Sequence, residues 1–327
     1  MLELYFDITV GNFRTNRVAD VRINSAWRTL GDTAIIKLPN LKGTLARGIN
    51  QIKAGDAVTI KLGYDGVLNT VFEGFVKFVN PNIPMEIECE DFIYKLRGLM
   101  LQNKHTPTIN DCLNLINEGL KKQDIPEISF DTALGEIQAG NLRLDYSAAS
   151  LLKKFQDEFG FACFFIGRKL YIGFPTQTHI GDKKFFRLRY DGPGDVISSN
   201  LKFMVADQVK IKIKAVGVLI KGRRIINAEE NIGDPEGEIR TVYYPDVSDR
   251  KQINDMARAD LQKLRYDGYY GGFTTFGKPW VKHGDLIAFQ DDLFPERAGT
   301  YYCDEVITTS GHNGFRQEIK LGLKMDL

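Results

Sequence analysis

Four histidines, four cysteines and 42 acidic residues are the groups in this 327-residue chain that could do chemistry, and their spacing decides which. His105, His179, His283 and His312 stand far apart. With no His-Glu-x-x-His and no Cys-x-x-Cys, no metal-ligand set is legible. Each histidine reads instead as a surface or hydrogen-bonded residue. No Gly-x-Ser-x-Gly elbow presents a nucleophilic serine. Residues 217–222 have the glycine spacing of a phosphate loop, but Arg223-Arg224 follow where Lys-Ser/Thr is required, so a β-hairpin turn is the better reading. Glu73, Asp157 and Glu158 are acids from which a cell-wall hydrolase could act. Carboxylate pairs are unavoidable among 42 acids, however, and nominate no glycosidase by themselves. No cofactor motif and no metal site is expected.

Two charged stripes follow a strand period. Glu86, Glu88 and Glu90 alternate with Met85, Ile87 and Cys89, and Lys210, Lys212 and Lys214 alternate with Val209, Ile211 and Ile213. The acids read as a solvated strand face. The lysines read as a wet face or one lining an axial channel, where unpaired ammonium groups keep their water. Tyr269, Tyr270, Phe273 and Trp280 look exposed enough to suggest a carbohydrate- or receptor-binding module, although such aromatics more often fill cores and interfaces.

The elements that hold these residues are mostly strands. Val58, Ile60 and Leu62 alternate with polar neighbours, Tyr64-Asp65-Gly66 turns, and a second strand at 71–79 carries Phe72, Val76 and Phe78 on one face. Residues 80–84, with two prolines, separate it from the strand beginning at Met85. Past Gly98 the period changes. Ile109, Cys112, Leu113, Ile116 and Leu120 predict a helix behind Thr108 or Asn110. A second helix is expected from Ser147 to Phe159, ended by Gly160, with a hairpin around Gly167-Arg168. A third, capped by Ser248, carries Ile253, Met256, Ala257, Leu261 and Leu264. The expected fold class is mainly β with α+β insertions: two similar small antiparallel β-barrels and a small helix-hairpin domain. The expected boundaries are 1–98 for the first barrel, 99–186 for the middle unit and 187–327 for the second barrel with its long helix. Which barrel owns the strands at 200–226 stays open.

Composition supports a packed protein and removes some partners. A hydrophobic fraction of 43% excludes global disorder, and a net charge of +1 argues against binding driven by nucleic-acid phosphates or anionic lipid. The first residues are acidic where a secretory signal is basic, and no apolar run is long enough to span a bilayer. Synthesis in a reducing cytoplasm is therefore expected, with Cys89, Cys112, Cys163 and Cys303 as small buried hydrophobes.

An internal repeat is the most informative pattern. Gly55-Asp56 precedes a strand, and Glu73-Gly74-Phe75-Val76 follows 18 residues past Gly55; Gly284-Asp285 likewise precedes a strand, and Asp304-Glu305-Val306-Ile307 follows 20 past Gly284. Each copy ends in a third strand, and the expected equivalences are Gly55 with Gly284 and Ile87 with Ile319. A lone three-strand meander leaves open edges that must close or pair.

These segments resemble the late-control D proteins of phages, the tail-hub components of contractile baseplates, and the N-terminal part of type VI secretion (VgrG) spike proteins is similar. The resemblance is carried by Gly55-Asp56 with residues 71–76, by Lys282-His283-Gly284-Asp285-Leu286-Ile287 with Tyr301-Tyr302-Cys303-Asp304-Glu305-Val306, and by Tyr146-Ser147-Ala148-Ala149-Ser150-Leu151-Leu152 between them. It implies a non-enzymatic homotrimer at the tail axis, partnered by tail-tube and spike proteins, with six similar barrels in a ring. With the near-neutral charge and the lack of a spanning apolar run, no specific nucleic-acid binding and no membrane insertion is expected, and the resemblance implies a place in the virion baseplate. The chain shows neither a spike extension nor a lysozyme-like insertion, so peptidoglycan cleavage is not implied.

Overall fold

In a computed structural model, residues 3–39, 51–101, 107–132, 135–136, 146–159, 161–173, 180–188, 194–221, 224–245, 247 and 249–325 are described. Seven strands form the first half: β1 (Leu4–Val10), β2 (Phe13–Thr15), β3 (Asp20–Ala26), β4 (Thr33–Leu38), β5 (Ala57–Tyr64), β6 (Val67–Asn80) and β7 (Met85–Glu90). They pair antiparallel in the order β2-β1-β5-β6-β7-β4-β3. Period-two alternation sends Ile8, Val58, Ile60, Leu62, Val76 and Ile87 into one core. Phe78 departs from the expected face. A bulge between Val76 and Phe78 shifts the register by one, so Val79 packs on the core and Phe78 is 55% exposed.

The middle unit comprises α1 (Ile93–Arg97), α2 (Ile109–Lys122), β8 (Ser129–Asp131), α3 (Ala148–Phe159), β9 (Ala162–Ile166) and β10 (Lys169–Gly173). Thr108 starts α2 with a capping box: its hydroxyl accepts from Asp111 N at 3.1 Å, and the Asp111 carboxylate accepts from Thr108 N at 2.9 Å. Ser147 likewise accepts from Ser150 N at the start of α3. The apolar stripes of both helices, with Phe92 and with Ile93 and Leu96 of α1, bury against the β9–β10 hairpin. Gly160 lies outside the described residues.

After β11 (Lys183–Leu188), β12 (Val196–Ser199) and β13 (Lys202–Met204), the chain makes an excursion. In it β14 (Ile211–Lys221) lies between antiparallel β15 (Arg224–Gly233) and parallel β16 (Glu238–Pro245), with α4 (Arg250–Leu264) packed against β14 and β15. Ile211, Ile213, Ala215, Tyr244, Ile253 and Ala257 share a core of their own. The strands at 200–226 thus divide: β13 serves the second half, while β14 and β15 belong to neither half but to this separate α/β layer. Asp249 caps α4, its carboxylate accepting from Gln252 N at 3.1 Å, in place of the expected Ser248, which lies outside the described residues. Met256, expected on the buried stripe, is exposed.

The chain returns with β17 (Gly268–Tyr270), β18 (Gly272–Phe276), β19 (Leu286–Asp291), β20 (Gly299–Gly311) and β21 (Gly314–Lys324). The second half runs β11-β19-β20-β21-β18-β12, with β11 parallel to β19. It encloses a core of Phe186, Phe273, Ile287, Phe289, Tyr301 and Ile319. Two separately closed barrels were expected, but among the described residues no sheet closes on itself. The C-terminal part of β20 pairs with β3, residue 305 with 26 through residue 311 with 20, and so welds both halves into one 13-stranded sheet. Pairing one half with the other satisfies those edge groups that a closed barrel would satisfy alone.

The tip of the β20–β21 hairpin reinforces this weld. Phe315 is 0% exposed, belongs to the first-half core, stacks on Tyr64 at 5.8 Å, and receives the Tyr64 hydroxyl on its carbonyl at 2.8 Å. Phe315→Ala is expected to destabilise the protein by about 3–5 kcal/mol, the usual cost of emptying a buried phenylalanine site. Denaturant titration followed by circular dichroism measures it, and a loss below about 1 kcal/mol would contradict this packing.

Candidate functional site

The weld between the halves carries the chain's most unusual polar chemistry. Ser25 on β3 places its hydroxyl 2.6 Å from Asp32 Oδ2 and 2.7 Å from His283 Nδ1. Asp32, in the turn before β4, donates its backbone N–H to Asp91 Oδ2 at 2.8 Å; Asp91 Oδ1 accepts from Ile93 N at 2.9 Å. These residues line a cavity of about 400 Å³ together with Glu73, Trp280 and Lys282, whose ammonium lies 4.5 Å above the Trp280 ring. Nearby, Asp304 accepts from the Trp27 indole and the Arg28 guanidinium, both at 2.9 Å, tying β20 to the end of β3.

Burial and the neighbouring Asp91 push the Asp32 carboxyl well above its ordinary value. Burial likewise pushes Asp91 up, to about 7, against two stabilising backbone N–H contacts. The serine does not have the placement of a nucleophile. In a hydrolytic triad the imidazole stands between hydroxyl and carboxylate, whereas here the hydroxyl stands between the other two and spends its proton inside the chain of contacts. The arrangement is a polar clasp across three segments.

The two Gly-Asp pairs occupy matching turns. Gly55 and Gly284 have φ of +90° and +86°, in the region that favours glycine. Gly55 N donates to Val76 O and Gly284 N to Cys303 O, both at 2.8 Å; Val76 N returns to Asp56 O at 2.9 Å and Cys303 N to Asp285 O at 2.8 Å. Lys53 N donates to Asp56 Oδ2 at 2.9 Å and Lys282 N to Asp285 Oδ2 at 3.0 Å. The match extends into the ladders. Each second strand bulges one residue after this contact, at Lys77 and at Asp304, and Ile87 opposes Val79 as Ile319 opposes Val306.

The remaining expected residues scatter. Lys210 is exposed just before β14; Lys212 and Lys214 are half-buried between buried neighbours, and Lys214 pairs with Glu229 at 3.2 Å. Of the acidic stripe, Glu86 reaches Lys37 at 3.4 Å, but Glu90 is not solvated as expected: it is buried between Lys77 at 2.6 Å and Arg97 at 2.7 Å. Burial raises the Glu90 carboxyl, and the two cations outweigh it, holding the group below its ordinary value. Asp157 is an exposed partner of Lys153, Glu73 lines the cavity, and Glu158 belongs to α3. Tyr269 and Phe273 are buried, and Tyr270 stacks on Tyr266 at 5.0 Å. His312 is exposed in the β20–β21 turn; His105 and His179 lie outside the described residues, as do Gly222 and Arg223. All four cysteines are buried. No group of three His, Cys, Asp or Glu suited to a metal occurs among the described residues, and no helix there is long and apolar enough to cross a membrane. Ser25, Asp32 and Asp91 escaped sequence reading because their neighbours show no motif; only the fold brings them together.

No protein-family model matches the chain, and no curated protein matches it. Solved structures do. A 43 kDa tail protein of a Shewanella oneidensis prophage is 14% identical, with a TM-score of 0.59 covering 98% of both chains. A tail protein from Neisseria meningitidis is 13% identical, with a TM-score of 0.59 covering 99% of this chain and 97% of that one. A type VI secretion component of E. coli, described as similar to phage T4 tail proteins, is 8% identical, with a TM-score of 0.54 over 98% of this chain and 77% of that one. The resemblance stated from the sequence thus holds at the level of the fold, which this chain shares from end to end with phage tail proteins.

The clasp gives a pH dependence whose sign is fixed. Asp32 and Asp91 hold protons more tightly folded than unfolded, so their contribution is fully present below the unfolded value near 3.9 and is lost as pH rises toward about 7. Between pH 5 and 8 the urea midpoint is expected to fall, and Asp32→Asn to flatten that slope. A midpoint that rises across this range would contradict the assignment.

Proposed function

We propose that this chain is a non-catalytic structural component of a phage or prophage tail baseplate, made in the bacterial cytoplasm, in which three copies form the hub joining the tail tube to the central spike. The observation that carries the reading is the pair of matching meanders held side by side in one sheet, within a fold that covers nearly all of two tail proteins, one of them from a prophage. Three chains with two such halves would present six similar units in a ring. Three-fold symmetry of the subunits would then approximate six-fold symmetry of the units, as needed where a six-fold tube meets a three-fold spike. Each half has its own core, and in such a ring the sheets would close against one another. The position of the Ser25 hydroxyl, between carboxylate and imidazole, supports a structural part over a hydrolase.

Multi-angle light scattering tests this directly. The particle is expected at three times the chain mass of 37.0 kDa, with interfaces of obligate size, above about 2,000 Å² each. A single-chain mass at high concentration, or peptidoglycan cleavage that Ser25→Ala abolishes, would overturn the proposal.

A further inference from the structure

The two halves of the chain are used unequally, and the unused positions identify an interface. Register alignment extends the match beyond the meanders. Opposite Ile87 on β7 stands Ile36 of β4, and opposite Ile319 on β21 stands Phe273 of β18. Opposite these in turn stand Val21 of β3 and Ser199 of β12. Asn24 pairs with Thr33 as Lys202 pairs with Tyr270. Strand β3 therefore has β12 and β13 as its counterpart, and the short β3–β4 turn has the whole β14–α4 excursion as its counterpart.

Within one chain β3 pairs with the C-terminal part of β20. The matching segment of β6, Phe78 to Asn80, pairs with β7 on one side and with no described strand on the other. The counterpart of β3 is equally open: β12 pairs only with β18 and β13 only with β17 among the described strands. One chain thus carries both sides of a second weld and does not join them: six strands of the sheet path separate β12 from β6, and β13 lies in a separate two-stranded sheet.

The hairpin tips point to the same contact. Phe315 stands four residues before Ile319, and Ile83 stands four before Ile87. Phe315 is 0% exposed in the core of the other half, whereas Ile83 is 82% exposed. Phe315 rests on Tyr64, seven residues past Ala57; the residue seven past the matching Leu286 is Leu293, which is 59% exposed. The counterparts of a buried pair are therefore two apolar side chains in water on one molecule. Charges stand near matching places too: Asp304 at its bulge binds Arg28 just past β3, while the matching bulge holds Lys77, which within the chain binds Glu90, and the segment just past β13 holds Asp207.

We infer that the β6–β7 hairpin of one copy docks on the β12–β13 edge of the next copy of this chain, Ile83 seating against Leu293, as the β20–β21 hairpin docks on β3 within the chain. The contact is heterologous, and alternating intramolecular and intermolecular welds close into a ring of whole chains. The inference rests on the hub reading for the number of copies, three.

Two variants test it. Ile83→Glu places a charge at an exposed turn, so the fold should hold while the particle mass drops three-fold to that of one chain. Ile83→Cys combined with Leu293→Cys should, on mild oxidation, give a ladder of covalently linked chains ending at three, which neither single variant gives. A three-fold particle that survives Ile83→Glu, with no ladder from the double variant, overturns this interface and leaves the hub reading standing. A wild-type protein of single-chain mass overturns both. If Ile83→Glu misfolds, the ladder alone decides.

Discussion

An unsatisfied strand edge is the constraint on which this molecule depends. A three-strand meander exposes a row of N–H and C=O groups on each side, and such rows either pair, are covered or invite association. The chain answers one of them internally, where β3 lies along the far part of β20 and Phe315 fills the neighbouring core. That weld aligns the halves, brings the His283 turn beside Ser25, and creates the cavity between them. The polar clasp is a consequence of that junction and has no independent motif.

The chemistry of the clasp follows from where it sits. Asp32 and Asp91 are adjacent acids at the junction, and taking both out of water as anions would cost several kcal/mol. Ser25, two backbone N–H groups and raised proton affinity absorb that cost. Glu90, next in sequence to Asp91, meets the same problem with two cations instead and keeps its charge. Neighbouring acids on one strand end thus reach opposite protonation tendencies through their partners alone.

Local pattern exposed much of this fold to a reader of the sequence, and the failures have physical causes. The meanders, the α2 and α3 stripes and the hairpin at Gly167-Arg168 rest on short-range periodicity, and each is present. Phe78 was placed on the wrong face because a bulge adds a residue that period-two reading cannot see. The separate α/β layer of β14 to α4 is not visible to pattern, since an alternating strand looks the same in any sheet. The clasp was invisible because Ser25 and His283 lie in different halves and meet only through long-range pairing. Closure was misjudged for a related reason: sequence shows that an edge must be satisfied, not which strand satisfies it.

The duplication gives the chain two sets of equivalent edges. Matching Gly-Asp turns, bulges and ladders give the two halves the same edges, but one chain can bring only one pair of them together. Joining β20 to β3 leaves β6 and the β12–β13 edge unpaired among the described strands. Polar closure, a buried hairpin tip and a bulge-held charge at the inner junction describe what an outer junction must provide, and the exposed apolar residues occur at the corresponding positions. The free edge of β6 is short: Phe78 and Val79 stand between the bulged Lys77 and the turn that holds Pro81 and Pro84. If the proposed contact forms, a molecule built this way would be complete only among copies of itself, as a part that holds an axis together would need to be.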